Sequence, residues 1–140
     1  MPDLTDHGPN PYVMNIEDAT LGNANFRATL WTGTHLQLTV MSIPAGGDIG
    51  LEVHPETDQF LRIEQGTGNV EMGPTETEVT FSAEVKSEDV IFVPAGTWHN
   101  VTNVGEEDIK LYTLYGPADH VHGTLHPTQH DAEMDPNEQH

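Results

Sequence analysis

The chain has no cysteine. Disulfides, thiolate metal sites and cysteine nucleophiles are therefore excluded. Cations are almost as scarce: 4 Lys and Arg stand against 23 Asp and Glu, a formal net charge of −19 over 140 residues. Arg27, Arg62, Lys86 and Lys110 are scattered and suggest no basic patch. Nucleic acid is not an expected partner, because its phosphates would be repelled. No apolar run approaches the roughly 20 residues that cross a bilayer, so no membrane partner is expected. Met1-Pro2-Asp3-Leu4-Thr5-Asp6 shows neither a basic n-region nor an apolar h-region. No secretory signal is expected on that ground, and the cytoplasm is the expected location.

The acid is spread along the whole chain, as in proteins of salt-in halophiles. There dense carboxylates stay solvated and are screened by cytosolic salt. A halophile-like protein is the expectation.

Apolar and polar residues alternate in short runs divided by turn residues. Phe26–Thr32, His35–Ile43, 58–64, Asn69–Met72, Glu78–Val85, Val90–Val93, Trp98–Asn103 and Ile109–Tyr115 read as strands. Val13–Asp18 reads as an edge strand and 50–54 as a short strand, with a turn over Ala19–Asn25. About ten short strands and no convincing helix predict an all-β sandwich or barrel. Residues 1–12, rich in Pro and Gly, read as a flexible arm, 13–116 as the domain, and 117–140 as an acidic, His-containing tail. Asp131–Met134 is expected to be mostly coil.

Two stretches bring together residues with chemistry. Glu52 and His54 are two apart, so on a strand both side chains project from one face. Gln59 follows a turn at Pro55-Glu56-Thr57 that starts a new strand. His99 follows Pro94-Ala95-Gly96, a turn able to aim its imidazole inward. Four polar groups inside a small barrel are costly unless something satisfies them, and a divalent metal does so. Nitrogen and oxygen donors with open positions suit Zn, Mn, Fe, Ni or Co.

The spacings resemble the two motifs of a small single-domain cupin. Gly46, five residues, Glu52-Val53-His54, four residues, Gln59, six residues and Gly66 follow the first motif. Glu88, five residues, then Pro94, Gly96, His99 and Asn103 follow the second. The resemblance covers roughly residues 35–116. It implies a jelly-roll fold with Glu52, His54, Gln59 and His99 as metal ligands.

Three positions depart from the family pattern. Glu52 stands where the first His is usual, and Gln59 where Glu is usual. Phosphomannose-isomerase-like cupins also mix Gln, Glu and His, with Gln and Glu in the opposite places. A neutral amide is a weak oxygen donor, so Gln59 is the ligand least expected to bind directly. Glu88 replaces a glycine and is expected to occupy a turn with no need of positive φ.

What the resemblance implies about activity is a metalloenzyme of dioxygenase, decarboxylase or isomerase type. Glu52 would serve both as ligand and as catalytic base. The alternatives are a non-catalytic binding module and a sugar-phosphate isomerase-like cupin. The latter is disfavoured because no Arg or Lys is expected near the site to clamp a phosphate. Of Tyr112 and Tyr115, which alternate, at most one lines the pocket. Trp98 is expected outward or at its rim. His120, His122 and His126 in the tail read as solvated side chains rather than a second metal site. Apolar outward positions at Leu51, Val53 and Phe60 suggest a homodimer, and the remaining partner is a small-molecule substrate.

Overall fold

The computed structural model describes residues 2–138. Residue 1 of the expected arm and residues 139–140 of the expected tail lie outside the described residues. Among the described residues, nine strands form two antiparallel sheets. They are β1 (Arg27–Thr32), β2 (Gln37–Ile43), β3 (Asp58–Gln65), β4 (Thr67–Gly73), β5 (Phe81–Lys86), β6 (Val90–Val93), β7 (Trp98–Asn103), β8 (Ile109–Gly116) and β9 (Leu125–His126). The six-stranded sheet runs β6-β3-β8-β2-β1-β9 and the three-stranded sheet β5-β4-β7. The result is an all-β jelly-roll sandwich rather than a closed barrel.

The interior changes character along the strands. Ile43 pairs with Ile109, and the next inward-facing rung holds Met41, Leu111 and Ile63. These side chains join Val70, Val85 and Val101 of the facing sheet in one apolar cluster. Full burial of each such aliphatic group contributes about 1.5–3 kcal/mol. The following rung is Thr39, Thr113 and Leu61, and the next is Gln37, Tyr115 and Gln59. All six are buried. The sandwich is thus oily at one end and polar at the other, and buried polar groups need partners.

Two expected elements are replaced. Val13–Asp18 is not an edge strand, because Ile16–Gly22 forms helix α1. The Asn15 side chain accepts the Asp18 amide at 2.9 Å, and Glu17 and Asp18 favour the positive end of the helix. Ala19, Met14 and Ile16 pack with Ala28, Leu30 and Val40 on the outer face of the larger sheet. Residues 50–54 do not form a regular strand. Glu52 makes a single antiparallel bridge to His99, and Asp48 another to Thr102.

The segment after β8 returns to the body. β9 pairs with β1. Gln129–Met134 forms helix α2 instead of coil, because Thr128 and Asp131 make a reciprocal capping box. At the other end of the chain, Asp6 accepts the Thr32 amide at 3.0 Å and its hydroxyl at 2.6 Å, which lays residues 6–8 along β1.

Glu88 corrects another expectation. Its φ is +77°, so the turn into β6 does use the left-handed region. The Glu88 amide donates to the Ile63 carbonyl at 2.8 Å, which ties the turn to β3 in that conformation.

Candidate metal centre

The site is built by stitching a loop onto β7. The Ile49 amide donates to Val101 O at 3.0 Å, and the Asn103 amide to Gly47 O at 2.8 Å. Glu52 and His99 exchange backbone hydrogen bonds of 3.0 and 2.9 Å. The Gly96 amide then donates to His54 O at 2.9 Å. Pro44-Ala45-Gly46 and Pro94-Ala95-Gly96 supply the two turns, each with its glycine at φ +80°. A β-carbon at that φ would be strained, so glycine fits.

Glu52, His54 and His99 converge as the sequence suggests. Glu52 Oε1 lies 3.3 Å from His54 Nε2 and 3.4 Å from His99 Nε2. Two donors each about 2.1 Å from one metal are about 3.0 Å apart in octahedral and about 3.4 Å apart in tetrahedral coordination. His99 Nδ1 is 3.1 Å from Thr97 O, so it donates there as N–H. Its Nε2 is buried with no hydrogen-bond partner. The trio is a geometry able to hold one metal ion.

Gln59 is buried on β3, in the opposite sheet from His99. Its Nε2 donates to Thr113 Oγ1 at 3.1 Å, and its Oε1 has no hydrogen-bond partner. The oxygen is therefore the free end of the amide. Tyr115 faces inward with its ring edge-on to His54 at 5.5 Å. Tyr112 faces outward against Phe60. Burial pushes the Tyr115 phenol well above its usual range, so it stays protonated. Trp98 is half-buried at a pocket rim.

Electrostatics hold Glu52 and His54 in opposite charge states in the absence of metal. Burial raises the Glu52 carboxyl, but the adjoining His54 and His99 nitrogens and the charges of His54 and Arg27 outweigh it, and the net direction is down. Burial lowers His54, but hydrogen bonds to Asp119 and Glu52 and their charges raise it to about 9.

Arg27 corrects the expectation of no cation near the site. It lies, with Glu52, Trp98 and Glu138, in the wall of a cavity of about 420 Å³. It is buried, and its Nη1 meets Glu138 Oε1 at 3.0 Å. Arg62 does face away, paired with Glu64 at 2.9 Å.

The tail histidines are not free in solvent as expected, and they do not gather at a second metal site among the described residues. His120 is buried, with Nδ1 at 2.6 Å from Glu138 and Nε2 at 3.2 Å from the Tyr115 hydroxyl. Burial outweighs Glu138 and lowers its pKa. Neutral His120 donates through Nδ1 and accepts the Tyr115 O–H through Nε2. His126 is buried against Asp135 at 2.9 Å. His122, exposed, reaches Gly8 O at 2.7 Å. Leu51 and Val53 lie at the cavity, while Phe60 is on the outer face of the larger sheet beside Phe92. The three do not form one outward patch.

The Cupin domain family model matches residues 39–115. YrkC of Bacillus subtilis (strain 168), an uncharacterized protein, is 54% identical over 129 residues, 92% of this chain and 69% of that protein. The crystal structure of BH2720 from Bacillus halodurans has a TM-score of 0.92 at 54% identity, covering 94% of this chain and 99% of that one. KdgF from Halomonas sp. shares the fold alone, with a TM-score of 0.57 at 17% identity over 66% of this chain and 77% of its own. Two motifs at family spacing, a jelly-roll sandwich and these matches agree, and the chain belongs to the cupin family.

Proposed function

We propose that this cupin is a metal-dependent enzyme acting on a small, non-phosphorylated organic molecule of dioxygenase, decarboxylase or isomerase type. One observation carries the reading. Two imidazole nitrogens flank one carboxylate oxygen at 3.3 and 3.4 Å beside a cavity of about 420 Å³. That volume lies within the range of small-molecule sites, about 300–1,000 Å³. Glu52, His54 and His99 hold the metal, and Gln59 adds its free Oε1. Zn, Mn, Fe, Ni and Co all suit this donor set. The bound metal supplies Lewis-acid polarisation of a coordinated oxygen. Glu52, which lines the cavity, would be the base that takes a proton from an entering ligand.

The cavity wall argues against a phosphate. Arg27 is its one cation among the lining residues, and Glu138 already balances it, with Glu52 and Glu133 adding negative charge. A phosphate dianion would face three carboxylates. The sugar-phosphate isomerase-like alternative is disfavoured on that ground. The proposal includes a cytoplasmic setting and a homodimer, with the outward aromatics Phe60, Phe92 and Tyr112 as the apolar face to cover. Light scattering in high salt reads the assembly state.

The test is metal content of natively purified protein. Wild type is expected to carry about one divalent transition metal per chain, and His54→Ala with His99→Ala none. Metal-free wild type that takes up no Zn, Mn, Fe, Ni or Co at micromolar concentration would defeat the proposal. A stoichiometric metal with no turnover across small hydroxy, keto and carboxylic acids would favour a binding module.

A further inference from the structure

We infer that Asp119 is a positioning residue of the metal centre, fixing the His54 ring so that Nε2 faces the metal. This rests on the proposed function above. His54 Nδ1 lies 3.0 Å from Asp119 Oδ1, while Nε2 points to Glu52. The arrangement matches that of His99, whose Nδ1 is held by Thr97 O and whose Nε2 also faces Glu52. Both imidazoles are therefore pinned through Nδ1 and present Nε2. In one the holder is a backbone carbonyl, and in the other it is a carboxylate from a segment 65 positions later in the chain. An acceptor on the far nitrogen of a metal-bound His fixes its tautomer and ring plane and strengthens it as a donor.

The segment bearing Asp119 is clasped for this purpose. Gln37 is fully buried. Its Oε1 accepts the amides of Asp119 at 3.1 Å and His120 at 2.9 Å, and its Nε2 donates to His120 O at 2.8 Å. Three hydrogen bonds from one buried amide side chain set the backbone at 119–120. His120 adds a fourth tie through Tyr115. Tyr115 also packs against the His54 ring in a T-shaped contact, and the two imidazole nitrogens lie 3.0 and 3.3 Å from carboxylate oxygens of Asp119 and Glu52. The stretch after β8 thus completes the site.

The test is a cobalt titration of metal-free wild type, Asp119→Ala and Asp119→Asn, read by visible d–d absorption. Thermal melting of each metal-free protein serves as the folding control. Asp119→Ala is expected to bind Co²⁺ about ten- to a hundredfold more weakly with an altered spectrum. Asp119→Asn keeps an acceptor oxygen and is expected to recover most of the affinity. Equal affinity and identical spectra in all three would overturn the inference while leaving the proposed function intact. If wild type binds no cobalt, the proposed function falls. The inference is then decided by ¹⁵N NMR of the metal-free protein. A slowly exchanging His54 Nδ1–H present in wild type and lost in Asp119→Ala upholds the orientation. Its absence from wild type overturns it.

Discussion

Glu52 and His99 are joined twice: their backbones exchange two hydrogen bonds, and their side chains meet at 3.4 Å. The first relation causes the second. A bridge between an irregular loop and β7 puts both side chains on the interior side at one level. Glu52 is therefore held directly by β7, although it belongs to no regular strand.

Metal binding should be pH-dependent through His54. Its pKa without metal is raised to about 9, and only the neutral imidazole can ligate. Apparent affinity is expected to rise about tenfold per pH unit up to pH 9 and then level off. The sign for stability is opposite. The raised pKa stabilises the metal-free fold fully below about 6.5, and that contribution is lost as pH rises through 9. Zinc competition titrations and melting of metal-free protein between pH 6 and 10 check both.

Glu138 should matter to stability out of proportion to its place near the end of the chain. Its side chain and that of Arg27 are both buried, and it also holds His120. Breaking a buried pair by removing one partner costs about 3–5 kcal/mol. Water can reach Arg27 through the cavity it lines, so Glu138→Ala is expected to cost less than that, about 2 kcal/mol. Glu138→Gln, which still accepts from His120, should cost less. Urea denaturation measures the difference.

Most strands were legible because their apolar residues alternate, and Glu52, His54 and His99 because their spacing carries a motif. The misread parts depend on contacts that periodicity does not report. Helix α1 was hidden because Asn15 reads as one polar residue of an alternating run, whereas its side chain caps a helix. Arg27 and Asp119 were missed because their roles arise when residues 117–138 fold back onto β1 and His54. No local pattern marks a segment that returns from so far. Gln37 is one polar residue in the alternation of β2, and nothing local marks its amide as what holds that return in place.

Glu88→Gly is expected to stabilise the fold. A non-glycine residue in the left-handed region costs about 1–2 kcal/mol, partly offset by the greater chain entropy of glycine when unfolded. A net gain of about 0.5–1 kcal/mol should raise the melting temperature by about 2–3 °C. An unchanged or lower melting temperature would show that the tie between Glu88 and Ile63 removes the strain.

The acidic surface leads to a proposal about salt. With a net charge of −19, self-repulsion is unscreened in dilute buffer. Melting temperature is expected to rise steadily from millimolar to molar KCl. A flat response would count against a halophile-like adaptation.

The central claim is that one metal sits between the two sheets on Glu52, His54, His99 and Gln59. A crystal structure with anomalous data collected at metal absorption edges tests it most directly. The account predicts a single anomalous peak about 2.0–2.3 Å from Glu52 Oε1 and both Nε2 atoms, with Gln59 Oε1 completing the set. A crystal grown with the metal that shows no peak there, with Glu52 still bridging the two imidazoles directly, would contradict it.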